Sequence, residues 1–541
     1  MNDNEAFSLI TNLRSINESI RTISINKIVE ISKILRIERT INELIPYIIE
    51  TPLFTEMQWV MILEQILKIN FIEFDESILK LLFNNLLPLA KLGSRIIRAK
   101  LVECYSEIAF GIYGVNIKIE SILVEFIWKM IKDKISEIVA VGISFFANAC
   151  KYDMISDNNC IEIFMYVYNN VLTQSLMVKQ YFVASCPLMI TRIGGILILE
   201  ILDVITKLSF ESSIFILCEI PKSLIEIMKI NPNKKIADII LDIGKRLLDS
   251  KNMLVKCSYI NSFSKIFENY ILEFNDVYNF FNMIISDKKE DDEVKTAVTK
   301  QLNFLAKTKD FNKYKIKDIF KDLFELPCSH IKAAAVMELS YFISILDDNY
   351  IIEQFTKLSK DPEEEVSIST IETLKSNRIS NDIKLKCIEI PKDSTKWREK
   401  KEIIHLIENL SNKTELFEID HIFISLLFDD VYNIRKLALD LLPKIIKLRK
   451  SLSLLLIETL KEKIKDIDYQ IRQTAVLAIL KGEIFDDNGM NILESAINDE
   501  VSNVRITLAI NLPKDKKFEH LRISLLNDKE QEVIDYLNCN F

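Results

Sequence analysis

The feature that most restricts how this chain can fold is a phrase that recurs along it. An acidic or polar turn is followed by Val or Ile and then at once by Arg or Lys. The clearest copy is DDVYNIRKLALDLLPKI, Asp429 to Ile445. Val431, Ile434, Ala438, Leu441 and Ile445 return every three or four residues, which lines one face of an α-helix. Asp429 and Asp430 stand where carboxylates can cap that helix by accepting from unpaired backbone N–H groups. One amphipathic helix of this kind buries too little to fold alone, so it needs copies beside it. They occur at Ile20-Arg21, Ile97-Arg98, Val178-Lys179, Val255-Lys256, Val294-Lys295, Ile331-Lys332, Ile434-Arg435, Ile471-Arg472 and Val504-Arg505.

The spacing is regular: 39 residues from Val255 to Val294, 37 from Val294 to Ile331, 37 from Ile434 to Ile471 and 33 from Ile471 to Val504. The gaps from Ile20 to Ile97 and from Val178 to Val255 are 77 each, so each holds one weaker copy. A period near ~40 with two helices per unit is the pattern of HEAT or armadillo repeats. The expected fold is all-α: an α-α superhelix, or HEAT-repeat solenoid, of about fifteen two-helix repeats. The fourth, sixth and tenth are degenerate. Lys134 to Cys150 has no Arg, Phe215 stands where a basic residue is usual, and Ser367 does the same. In the first unit, Phe7, Ile10 and Leu13 mark one helix, and Ile25, Ile28, Val29 and Ser32 the next.

Composition agrees. The 541 residues hold only 9 Gly and 11 Pro, as short turns between helices require, and no Pro/Gly/Ser linker marks a domain boundary. A net charge of −9 disfavours a general nucleic-acid-binding role. Nine cysteines show no paired spacing and read as reduced core thiols. The opening MNDNEAFSLI lacks the basic and apolar regions of a signal peptide. Ile193 to Phe210 is the most apolar stretch, but Glu200, Asp203 and Lys207 make it a buried repeat helix rather than a membrane span. A soluble intracellular chain is expected.

No catalytic constellation stands out. There is no Gly-rich phosphate loop and no HExxH. His330, His405, His421 and His520 are the only histidines, and none precedes Glu, which argues against the iron site of the HEAT-repeat deoxyhypusine hydroxylase. Cys104, Cys150 and Cys186 lack a supporting His motif. The expectation is no enzyme activity, no cofactor and no metal.

Binding residues are sought on exposed turns. Trp397 is one of three Trp and lies in the charged turn TKWREK. Aromatics and Arg on such turns dominate interface energy. Tyr432 and Tyr469 fit that role too, or else cover the first turns of their own helices. Arg435, Arg472 and Arg505 read as structural, each bonding an aspartate in a neighbouring turn to form a ladder.

Several words carry a resemblance to a known family: Glu38-Arg39-Thr40, Glu43-Leu44-Ile45-Pro46, Leu86-Leu87-Pro88-Leu89, and the turns STKWREKKEII, DDVYNIRKLAL, DIDYQIRQTAV, DEVSNVRITLA and DKEQEVIDYLN. Over nearly its full length the chain resembles the scaffolding A subunits of protein phosphatase 2A. That resemblance implies a non-catalytic scaffold working in a heterodimer or heterotrimer in the cytoplasm and also the nucleus. Repeats 11–15, residues 391–541, hold the phosphatase catalytic subunit through Trp397, Arg398, Val431, Tyr432, Tyr469 and Asn503. Repeats 1–10 fill residues 1–390, and a regulatory B-type subunit sits mainly on 1–300 through Glu56, Arg98, Lys179 and Met253, the last replacing the family's usual Trp. The alternative is a nuclear-transport receptor of the importin-β type, or another HEAT-repeat adaptor. An importin-β-type receptor has acidic residues massed on its inner helices, whereas here the acids concentrate in turns.

Overall fold

Each acidic turn separates two helices, A before it and B after it, and like helices pack on like. The computed structural model describes residues 2–69, 76–92, 94–113, 119–388, 396–411 and 417–540, and among these every regular element is a helix. The chain divides into two units, Met1–Glu273 and Phe274–Phe541. In the first, the B row runs through Glu18–Ile25, Glu56–Leu67, Arg95–Tyr113, Ser136–Lys151, Leu176–Leu208, Ile214–Ile230 and Met253–Ile266, each packed on the next. In the second it runs through Asp292–Thr299, Ser329–Leu339, Glu364–Leu374, Trp397–Ser411, Tyr432–Leu448, Tyr469–Gly482, Ser502–Asn511 and Gln531–Asn540, again each on the next. A helices form a second layer, as where Phe417–Leu427 packs on Lys450–Lys463 and that on Asp487–Ile497. This is the all-α HEAT-repeat architecture expected from the period.

Apolar side chains at helical spacing meet between the layers. In the first unit Phe83, Tyr105, Phe126 and Phe145 form one ring cluster, with Phe83 and Tyr105 centroids 5.0 Å apart. The Tyr105 hydroxyl donates to the Phe83 carbonyl at 3.0 Å, which satisfies its only polar atom inside the core. Gly244 lets two helices touch: a Cβ there would lie 2.1 Å from Cζ of Tyr259.

The recurring arginines share one job. Arg435 Nη1 donates to the Asp429 and Asp430 carbonyls at 2.8 and 3.0 Å, and Arg472 does the same to Asp466 and Ile467 at 2.8 and 3.1 Å. Carbonyls left unpaired by the turn are thereby satisfied. The rest of the cation reaches the following turn. Lys332 pairs with Asp361 at 3.2 Å, Lys400 with Asp429 at 2.6 Å, Arg472 with Asp499 at 2.6 Å and Arg505 with Asp528 at 2.7 Å. The expected ladder is present, with one exception: Arg435 meets Gln470 Oε1 at 2.8 Å rather than an aspartate.

Three local expectations are corrected. Asp429 does not cap the helix itself; its Oδ1 accepts from the Val431 amide at 2.9 Å and closes the turn, while the N-cap position falls to Val431. Phe7 is 73% exposed, because the first helix buries Ala6 and is followed by buried Leu13, on its other face. The stretches around 177–185 and 193–210 run through one helix, Leu176–Leu208, which keeps Pro187 inside it and bends at Leu197 (φ −114°, ψ 28°). No helix among the described residues is long and apolar enough to cross a membrane.

Candidate functional site

In the second unit the turns before Tyr469–Gly482 and Ser502–Asn511 are closed by their own aspartates. Asp466 Oδ1 accepts from the Asp468 amide at 3.0 Å, and Asp499 Oδ1 from Val501 at 2.9 Å. Burial pushes the Asp499 carboxyl up, but the bonds from Arg472 and the Val501 amide outweigh it and hold the group below the ordinary carboxylate range. Arg505 and the Glu530 amide do the same, against burial, for Asp528. On a helix the residue four places on lies one turn further along the same face. So Trp397 is followed by Lys401, Tyr432 by Lys436, Tyr469 by Gln473 and Asn503 by Thr507.

Two adjoining grooves result. The first, of ≈ 320 Å³, is lined by Trp397, Lys401, Lys436, Leu437 and Asp440 among others. The second, of ≈ 420 Å³, is lined by Tyr432, Arg435, Lys436, Gln473, Lys481 and Asn511 among others. Lys436 belongs to both. Trp397 is 45% exposed and Tyr432 63%, so neither is a core residue and Tyr432 does not merely cover its own helix.

The other predicted residues scatter. Arg398 is exposed and pairs back with Glu364 at 3.0 Å. Val431 and Tyr469 are half-buried, and Asn503 is exposed with its carbonyl accepting from Gln473 at 2.9 Å. In the first unit Glu56 is exposed and accepts from Ser94, and Met253 is half-buried. Arg98 is buried, bonded to the Leu92 carbonyl at 3.0 Å and the Tyr181 hydroxyl at 3.2 Å. Lys179 pairs with Glu211 at 2.6 Å. Arg98 and Lys179 are thus struts inside the repeat stack.

Comparison with known proteins supports the fold. The chain matches no known protein-family model and no curated relative. Among solved structures it is similar to Kap95p bound to RanGDP, with a TM-score of 0.63 and 13% identity over 99% of this chain and 76% of that one. It is similar to importin β, with a TM-score of 0.61 and 11% identity over 98% of this chain and 76% of that one. It is similar to Kap121p, with a TM-score of 0.57 and 15% identity over 97% of this chain and 59% of that one. The likeness is to nuclear-transport receptors.

That finding corrects the phosphatase reading. The resemblance to the phosphatase 2A scaffold, and with it the catalytic and regulatory B-type subunits as partners, is overturned by structural neighbours that are karyopherins. Many of the words that suggested it come from turns, such as Trp-Arg, Val-Tyr and Asp-x-x-Tyr. In this chain the aspartates and arginines of such turns satisfy turn carbonyls and join neighbouring repeats, a structural task that does not by itself name a family. What sequence reading missed were Lys401, Lys436, Gln473 and Lys481. Their signal was their spacing: Lys401, Lys436 and Gln473 each come four residues after an aromatic at a helix start, exposed in the first two cases and half-buried in the third.

Proposed function

We propose that the chain is a non-catalytic binding protein of the importin-β type, moving between cytoplasm and nucleus and holding its partners on the B helices. The observation that carries this reading is a likeness to Kap95p that extends over 99% of the chain. The grooves beside Trp397 and Tyr432 support it, since they are open and lined by exposed aromatic side chains. Within residues 391–541 they form the partner-holding part. Structural neighbours have been seen with partners of the transport machinery: Kap95p with RanGDP and with Nup1, and Kap121p with the protease Ulp1p and with Ste12p.

The test is direct capture. Immobilised chain is presented with Ran loaded with GDP or GTP, and separately with a Nup1 fragment. Retention of Ran and of the fragment is the expected result. Failure to retain either would remove the transport role and leave only a HEAT-repeat adaptor.

A further inference from the structure

An importin-β-type receptor is expected to carry acidic residues on its partner-facing helices, and the grooves of the second unit carry the reverse. Their ionisable lining is Lys401, Arg435, Lys436 and Lys481 against one carboxylate, Asp440. Asp440 is already paired with Lys481 at 2.6 Å, and Arg435 is buried and committed to its turn and to Gln470. Lys401 and Lys436 remain. Both are exposed, and neither makes an ion pair or hydrogen bond among the described residues. Two unpaired ammonium groups thus stand one helical turn beyond an exposed indole and an exposed phenol.

We propose that this surface binds an acidic peptide segment in extended form, with carboxylates on Lys401 and Lys436 and aromatic or apolar side chains against Trp397 and Tyr432. This deepens the proposed function and rests on it only in taking the chain to be a binding protein. A desolvated charge pair beside an aromatic anchor is the arrangement that concentrates binding energy. The polar floor favours a peptide over a nucleic acid. The amide group of Gln473 donates to the Asn503 carbonyl and the Thr507 hydroxyl, both at 2.9 Å, which leaves its own oxygen as an acceptor for a peptide N–H. A peptide backbone brings an N–H to that oxygen at every residue, whereas a phosphate brings none. Neighbouring B helices stand ~8–10 Å apart, so the run from Trp397 to Asn511 suits about eight extended residues.

The experiment uses the full chain and three fluorescent probes: a peptide of about twelve residues repeating Asp-Glu-Phe, its counterpart repeating Lys-Lys-Phe, and an oligothymidylate of similar length. Anisotropy is expected to rise with the acidic peptide alone, less so at high salt, with a change in tryptophan emission that Trp397→Ala abolishes. Charge reversal, Lys401→Glu with Lys436→Glu, is expected to weaken binding at least tenfold, and Lys401→Ala with Lys436→Ala less. Both lysines are exposed, so the circular dichroism should not change; should the reversal variant unfold, the alanine pair gives the same comparison. Equal binding of the basic peptide, tighter binding of the oligonucleotide, or indifference to both lysine pairs would overturn the proposal. Capture of Ran and the Nup1 fragment by the same variants separates the two readings. If it fails while the acidic peptide binds, only the transport role falls; if it persists while the peptide does not bind, only this inference falls.

Discussion

The two units solve one problem in different ways. In the second, most of the links between repeats are charged: Lys332–Asp361, Lys400–Asp429, Arg472–Asp499 and Arg505–Asp528 join turn to turn, with Arg435–Gln470 the neutral case. In the first, the equivalent cations mostly meet neutral partners. Arg21 reaches Gln58 Oε1 at 3.3 Å and Arg98 reaches the Tyr181 hydroxyl at 3.2 Å, with Lys179–Glu211 the charged case. The lesson is that the invariant task lies within the turn. Arg21 still satisfies the Ser15 and Ile16 carbonyls at 2.9 Å, as Arg505 does that of Asp499 at 2.6 Å. What the cation meets next door varies with whatever the next turn offers.

The largest break in that contrast is expected from Arg505→Ala. Its side chain and that of Asp528 are 3% and 5% exposed, so the variant leaves a buried carboxylate with no cation and only the Glu530 amide to bond it. A cost of ~3–5 kcal/mol is expected, against ~1–2 kcal/mol for Arg98→Ala in the first unit, where a neutral phenol is left. Amide-exchange protection in Ser502–Asn511 and in Arg95–Tyr113 measures both. The same contrast follows pH. Asp499 and Asp528 titrate below the ordinary range when folded, so unfolding takes up protons. Their stabilisation is complete above ~3.9 and is lost as the pH falls through the lowered native values. The Arg21–Gln58 link contains no carboxylate, so acid should open the end of the second unit first.

Glu338 sharpens the comparison from the other side. It is a buried carboxylate in the second unit with no ladder cation; burial lifts it to about 7, against the Asn303 amide that donates at 2.9 Å. Here the folded value lies above the unfolded one. Its contribution is fully present below ~4.3 and is lost as the pH rises towards 7. Glu338→Gln should therefore stabilise the unit above neutral pH, by on the order of 2–3 kcal/mol, and make no gain at pH 4. A pH series of urea midpoints decides it.

Smaller effects test packing and surface. Gly244→Ala drives a methyl into the Tyr259 ring and should cost ~1–3 kcal/mol at any pH, with protection lost in Met253–Ile266. Trp397→Ala removes a side chain that is 45% exposed and should change the melting midpoint least of all, within ~0.5 kcal/mol. A large drop would show that the indole supports the fold rather than a partner.

Much of this was readable in the chain. The period of the Val/Ile–Arg/Lys phrase announced two-helix repeats, because a helix that buries one stripe needs a neighbour and a turn needs a cation for its carbonyls. Arg472 and Arg505 as ladder residues were legible for the same reason. The family was not. Turn words such as DIDYQIRQ answer to a requirement common to repeats of this kind, so they carried the phosphatase resemblance too far. Arg98 and Lys179 likewise looked available, since nothing local says that Tyr181 and Glu211 lie within reach.

What the amino-acid order alone determined is the repeating brick: its helical stripe, its turn aspartate and the cation that closes it. These are local, set by contacts within a turn or two. Only the packed B row decided that Lys401 and Lys436 would stand unpaired between Trp397 and Tyr432, while Asp440, on the same helix face, was taken by Lys481. That choice joins residues about one repeat apart. It depends on which neighbour comes within a few ångströms, a distance fixed by how the helices pack.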